Sequence, residues 1–283
     1  MTKLIATDLD GTLINDSGFI SNEDLRTINR ILESGNIFSV ISGRSWIESK
    51  YLFEKIHYPF HFLGGNGSEI WFDGRVLEKK YIEQTIAMRV IKQIDKNNMF
   101  YKIYRDNITE DKKTFILKKG YLSVQLALME KEPLLDLLKT SKVVYKNIYS
   151  KNIHKLEISE CSNINKILIL DHRTNKLKLM KKQIEDNYSD VRVSSSYKNN
   201  IEITKFDIDK GKALNYLIKK YQMDKSDVIV IGDNENDLPM FLKGTNTVAV
   251  ENSILELKEK ANLITVSNNN SPLTNIMTEM QIL

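Results

Sequence analysis

The chain is short of the residues from which several kinds of site are built. One cysteine, Cys161, in 283 residues excludes an internal disulfide framework and cysteine-rich zinc sites. Histidine is scarce too. His57 and His61 have helical i,i+4 spacing, but Pro59 between them argues against a continuous helix, and His57, His61, His154 and His172 are given no role. No apolar run approaches the length of a membrane span. Charge of one sign does not prevail either: 41 basic residues, scattered along the chain, face 37 acidic ones. That balance requires neither nucleic acid nor a membrane as a partner, and allows a mild attraction for an anionic small molecule. The opening "MTKLIATDLD" runs straight into a strand with no charged leader, so a soluble, cytoplasmic protein is expected.

What is present suffices for a folded protein. Hydrophobic residues make up 41% of the chain, enough for a core, and the length fits one large domain or two. "KLIATD", "IFSVIS" and "HFLGG" read as strands. Between the first two lies "SNEDLRTINRILESG", a helix with Ser21 as N-cap and Gly35 at its end; residues 45 to 56 supply a second helix. That βαβαβ order predicts an α/β fold with a parallel sheet. It returns near the C-terminal end: "DKGKALNYLIKKYQ" as helix, "DVIVIGD" as strand, "ENDLPMFLK" as helix, "NTVAVE" as strand, "ILELKEKA" as helix, then "LITV" and a helix from about Pro272.

Between these halves the texture changes. "SEIWFDGRVLEKKYI" reads as a hairpin turning at Asp73-Gly74. Ile82, Ile86, Val90 and Ile94 mark one face of a helix, and "MFYKIYR", "IHKLEIS", "KILILD" and "VRVSSS" read as strands around a helix at 174 to 188. Residues 83–197 are therefore expected to form an inserted α+β module, with residues 1–82 and 198–283 as the α/β core and the chain re-entering that core near "NIEITK". "NNN" at 268 to 270 is read as a loop.

Open α/β sheets bind ligands at the carboxyl ends of their strands. Here those ends carry Asp8, Asp10, Gly11 and Thr12; then Ser42, Gly43 and Arg44; then Gly232, Asp233, Asn234, Asn236 and Asp237, with Lys210-Gly211 opening a nearby helix. Asp10-Gly11 alone would be an ordinary turn. Asp233, Glu235 and Asp237 alternate as in an EF-hand, but Leu238 stands where that loop needs glycine and Gly244 where it needs glutamate. Together the strand ends fit phosphoryl transfer. Clustered carboxylates call for a cation, and hard oxygen ligands favour Mg²⁺. Ser42, the Gly43 N–H and Lys210 supply donors for phosphate oxygens. Asp8 and Asp10, two apart in an extended segment, face one way, so one can act as nucleophile and the other as general acid and base. Arg44 suits substrate contact or helix capping equally, and Trp46 and Trp71 suit packing.

"DLDGTLI", "VISGRS", "DKGKAL" and "IGDNENDLPM", in that order, resemble the four motifs of the haloacid dehalogenase superfamily of phosphohydrolases. The insertion resembles the α/β cap of its Cof-type subfamily, and "GGNGSEI" that subfamily's stretch before the cap. The resemblance implies a Rossmann-like, doubly wound core with an inserted cap for substrate specificity. It implies Asp8 as nucleophile and Asp10 as general acid and base. Mg²⁺ would be held by Asp8, the Asp10 backbone carbonyl and Asp233. Phosphate would be held by the Leu9 backbone N–H, Ser42, Gly43, Lys210 and Asn236, with Asp237 supporting metal waters or the lysine. "VAVENS" departs from the small, Gly-containing stretch usual after the fourth motif, a difference expected to bear on substrate fit more than on chemistry. The expected activity is Mg²⁺-dependent hydrolysis of phosphate monoesters of small metabolites through an aspartyl-phosphate. A phosphomutase or a weakly active phosphometabolite-binding regulator is the alternative. A small phosphorylated metabolite is the expected partner, and the protein is expected to be a monomer or weak homodimer.

Overall fold

The structure, a computed structural model, describes residues 2–106, 113–118, 148–153, 161–195 and 199–282. These residues divide into two compact units, Met1–Glu78 with Ile208–Leu283, and Lys79–Asp207.

The first unit is built on an eight-stranded sheet. Its strands in chain order are β1 (Leu4–Thr7), β2 (Ile37–Ile41), β3 (His61–Gly64), β4 (Glu69–Phe72) and β5 (Arg75–Lys79), then β12 (Val228–Gly232), β13 (Asn246–Val250) and β14 (Leu263–Thr265). Their spatial order is β14-β13-β12-β1-β2-β3-β4-β5. All pairs from β14 to β3 are parallel, and β4 runs antiparallel to β3. Asp73 and Gly74, both at positive φ, make the tight turn expected between β4 and β5. β1 and β12 are buried at every position, which is why "LIAT" and "VIVI" show no polar alternation.

Helix α1 (Asn22–Glu33) begins at Ser21, whose Oγ accepts from the Asp24 N–H at 3.0 Å. The expected second helix is shorter than its pattern: α2 (Trp46–Ser49) gives way to a 3-10 turn at Lys50–Phe53. "ENDLPM" is likewise a 3-10 turn (Glu235–Met240) and not an α-helix, because Pro239 has no N–H to continue the α pattern.

The second unit is a six-stranded sheet in the order β10-β11-β9-β6-β7-β8. It comprises β6 (Phe100–Asp106), β7 (Lys113–Lys118), β8 (Ile148–Ile153), β9 (Ile164–Leu170), β10 (Val191–Ser194) and β11 (Asn200–Lys205). Helices α3 (Gln84–Lys96) and α4 (Thr174–Asn187) share an apolar core with it, in which Val90, Ile94, Leu177 and Ile184 meet Ile103, Ile167 and Ile203. "NIEITK" is β11, paired antiparallel with β10 and β9, so it belongs to this sheet and does not begin the re-entry into the first unit. Ile201 and Ile203 enter the apolar core with the helices, while Asn200, Glu202 and Thr204 between them are buried as well. The strand expected at "IHKLEIS" lies, beyond Ile153, outside the described residues, as does His154.

The remaining helices of the first unit are α5 (Lys210–Lys220), α6 (Leu255–Lys260) and α7 (Pro272–Glu279). Among the described residues no helix is long and apolar enough to cross a membrane. The start of α5 lies hard against the 3-10 turn: a Cβ on Gly211 would sit 2.1 Å from the Pro239 carbonyl oxygen. Helix propensity favours alanine by about 1 kcal/mol, yet a backbone oxygen cannot yield as a flexible side chain does. Gly211→Ala is therefore expected to cost about 1–3 kcal/mol of stability, read from the denaturation midpoint. An unchanged midpoint would mean that α5 and the turn are not in contact.

Candidate active site

Register brings the site together. Thr7 is level with Val40 on one side and Ile231 on the other, so β1, β2 and β12 all release their chains at the same sheet edge. The Asp8 N–H continues the ladder to the Ile231 carbonyl at 2.9 Å, leaving Asp8 one step from Gly232-Asp233. Leu9 is fully buried in the core, and its carbonyl accepts from the Leu13 and Ile14 N–H groups to close the turn after the strand. Gly11 must be glycine: φ is +74°, and a Cβ would lie 2.5 Å from Asp233 Oδ2.

Four charged side chains converge here. Lys210, the first residue of α5, reaches Asp8 Oδ1 at 2.7 Å and Asp237 Oδ1 at 2.6 Å, and all three are buried. Asp237 Oδ2 accepts from the N–H groups of Asp233 at 2.9 Å and Asn234 at 3.0 Å. Asp233 Oδ1 accepts from Thr12 Oγ1 at 2.8 Å. Asp8, Asp233 and Asp237 each place a carboxylate oxygen within 4.8 Å of the others.

The electrostatics follow. Burial, then Asp237, pushes the Asp8 carboxyl well above the carboxylate range, with Lys210 opposing and Asp233 adding to the rise. Burial and then Asp237 push Asp233 up to about 7, although the Thr12 hydroxyl opposes the shift. Burial pulls Lys210 down, but Asp237 and Asp8 outweigh it and hold the ammonium above its ordinary value. One buried cation among three buried carboxylates leaves an excess of negative charge.

An all-oxygen donor set with that excess fits a hard divalent cation. Asp8 and Asp233 suit the ligand role. Asp237 already commits both oxygens to Lys210 and two backbone amides, which suits bracing. Asn236 lies in the same 3-10 turn, and its buried Oδ1 has no hydrogen-bond partner among the described residues.

Asp10 is handled separately. Arg44 grips it with two prongs, Nε to Oδ2 at 2.8 Å and Nη2 to Oδ1. The helix cap at α2 falls to Ser45, boxed with Glu48, so Arg44 is not the capping residue. Ser42 is buried at the end of β2, and its Oγ accepts from the Arg44 N–H at 3.1 Å. Gly43 lies between them.

Several supporting residues carry no local signal. Fully buried Glu69 accepts from the Trp46 N–H at 2.8 Å, while the Gly65 and Asn66 N–H groups bond the Arg44 and Ser42 carbonyls. "GGNGSE" is thus the backing of the Ser42–Arg44 loop. The "VAVENS" stretch and the residue after it hold the backbone of the acidic loops. Asn252 Nδ2 donates to the Gly11 carbonyl at 2.7 Å, and the N–H of Ile254, the next residue after Ser253, to the Asp233 carbonyl at 2.9 Å. Nor is "NNN" a bare loop: Asn268 donates to the Ile14 carbonyl and Asp16, and Asn269 to Asp16. Their targets lie more than 250 residues away in sequence.

Residues 5–277 match the haloacid dehalogenase-like hydrolase family. Among curated proteins, a 5-amino-6-(5-phospho-D-ribitylamino)uracil phosphatase of Bacillus subtilis, YwtE, is 30% identical over 94% of this chain and 93% of its own length. The phosphatase YwpJ of the same organism is 25% identical over 97% and 98%. Among solved structures, a haloacid dehalogenase-like hydrolase from B. subtilis superposes with a TM-score of 0.84 at 23% identity, covering 99% of this chain and 100% of that one.

Proposed function

Since the chain belongs to the haloacid dehalogenase-like hydrolase family, in its Cof-type branch, we propose that it hydrolyses phosphate monoesters of small metabolites through an aspartyl-phosphate on Asp8. The buried cluster of Asp8, Lys210, Asp233 and Asp237 at the shared strand edge carries this reading.

Lys210 and Ser42, with the Leu9 and Gly43 N–H groups and the Asn236 amide, hold the phosphate oxygens. Asp8 attacks phosphorus as the bond to the leaving oxygen breaks, and Asp10 gives that oxygen its proton. Asp10 then takes a proton from a water that attacks the aspartyl-phosphate, releasing inorganic phosphate and restoring Asp8. Asp8, the Asp10 carbonyl and Asp233 are the proposed holders of Mg²⁺. When bound, the ion neutralises phosphate charge as a Lewis acid. Asp237 keeps Lys210 and the Asp233 loop in place. The inserted unit, Lys79–Asp207, is assigned the choice of leaving group. The relative named for a ribitylamino-uracil phosphate supports polyol and sugar phosphates as the first substrates to try.

The test is hydrolysis of p-nitrophenyl phosphate before and after chelation. Several kcal/mol of lost charge stabilisation should slow turnover by about 100-fold or more, with Mg²⁺ restoring it. Turnover indifferent to metal would overturn the reading.

A further inference from the structure

Arg44 is bound to a carboxylate to which the proposed mechanism gives both proton transfers, and that pairing belongs neither to substrate contact nor to a helix cap. Exposed ion pairs are commonly worth little and hold no fixed geometry. This one differs in two respects. The fork is bidentate, with Nε on one Asp10 oxygen and Nη2 on the other, which fixes the plane of the carboxylate as well as its position. The arginine also stands on a braced backbone. Its N–H is held by Ser42 Oγ at 3.1 Å and its carbonyl by the Gly65 N–H at 2.9 Å. The adjoining turn is closed by the Ser45–Glu48 box and by buried Glu69 on the Trp46 N–H. The backbone around Asp10 is held too, by the Leu13 and Ile14 N–H groups on the Leu9 carbonyl and by Asn252 on the Gly11 carbonyl, so what the fork adds is the orientation of the carboxyl itself.

An ionised carboxylate offers about four lone-pair sites, and a bidentate arginine uses two. One remains on each oxygen, so the fork can orient Asp10 and still leave room for a proton. Burial pulls the Arg44 guanidinium down, but Asp10 outweighs it and keeps the arginine charged. We infer that Arg44 is a positioning residue, aiming the Asp10 carboxyl at the leaving-group oxygen, so that the enzyme can expel alcohols that cannot depart without a proton. The inference rests on the role of Asp10 proposed above.

The consequence is a selective dependence on the leaving group. An alkoxide needs protonation; a nitrophenolate leaves without it. In single-turnover measurements of aspartyl-phosphate formation, Arg44→Ala should slow the step on a sugar or glycerol phosphate by about 100-fold. It should alter the same step on p-nitrophenyl phosphate by less than about threefold, while the later hydrolysis of the aspartyl-phosphate, for which Asp10 is the base, should slow to the same degree whichever ester supplied the phosphate. Arg44→Lys keeps the charge but not the fork, and should recover part of the loss; it also serves if the alanine variant fails to fold. In an Asp10→Asn background, Arg44→Ala should cost nothing further.

Equal losses in the rate of aspartyl-phosphate formation on both substrates, a raised KM with kcat unchanged, or an additive loss in the double variant would overturn the positioning role. Asp10→Asn by itself separates the two readings. If it spares sugar phosphate turnover, the acid–base assignment of Asp10 fails and this inference fails with it. If it abolishes that turnover while Arg44→Ala does not, only Arg44 is misassigned.

Discussion

Asp8→Asn is expected to abolish phosphate release while leaving a folded protein that melts no lower than the wild type at pH 8. The amide cannot form the acyl-phosphate, so kcat should fall by about four orders of magnitude or more, as when other covalent nucleophiles are removed. The stability half follows from the charge excess. Burial, Asp237 and Asp233 hold the Asp8 carboxyl well above its ordinary range. A carboxyl with a raised folded pKa is best tolerated below its unfolded value and costs stability as pH rises through the folded one. Replacing it should therefore relieve the metal-free protein at pH 8 and do little near pH 4. Phosphate release and thermal melting at the two pH values check both halves. Residual turnover above about 1% of wild type would remove Asp8 from the nucleophile's role, being far more than such a knockout leaves.

Lys210→Met should behave in the opposite sense. Methionine matches the lysine stem in length, so packing is largely kept, but Asp8 and Asp237 lose a cation at 2.7 and 2.6 Å. Removing one partner of a buried ion pair commonly costs about 3–5 kcal/mol. The loss should depend on pH. Asp233 already titrates near 7, shifted first by burial and then by Asp237, with Lys210 among the influences holding it down. Without the lysine, Asp8 and Asp233 should take up protons at still higher pH. The variant's melting temperature should then fall between pH 5 and pH 8 more steeply than that of the wild type. Catalysis should fail as well, because the phosphate loses its buried cation. A melting curve parallel to wild type across that range would show that Lys210 does not neutralise the cluster.

Much of the α/β core was legible because its signals are local. "LIAT" and "VIVI" are apolar without alternation, Ser21 precedes a helix it caps, and Asp73-Gly74 makes the turn its residues demand. The acidic strand ends were legible for the same reason, since parallel strands must release their loops at one edge. What escaped depends on partners remote in sequence. Asn252 and Gly11 are 241 residues apart, and nothing in "VENS" names a carbonyl at the other end of the chain. Glu69 looked like part of a hairpin, and only the fold shows its carboxylate under α2. "NIEITK" failed differently: its alternation was visible, but which sheet it joins is decided by β9 and β10. Arg44 offered two readings because a basic side chain near a helix start does not disclose which carboxylate it will find.

The order of synthesis gives the division of the first unit another meaning. β1 pairs with β2, which follows it closely, and with β12, which the ribosome delivers only after the whole of Lys79–Asp207 has emerged. Until then the edge of β1 is unpaired and Asp8 lacks both Lys210 and the loop of Asp233. The second unit has its own sheet and apolar core, so it can close first, while the catalytic edge is completed last. Under the mechanism proposed above, a nascent chain therefore has no nucleophile in working order until nearly all of it has been made.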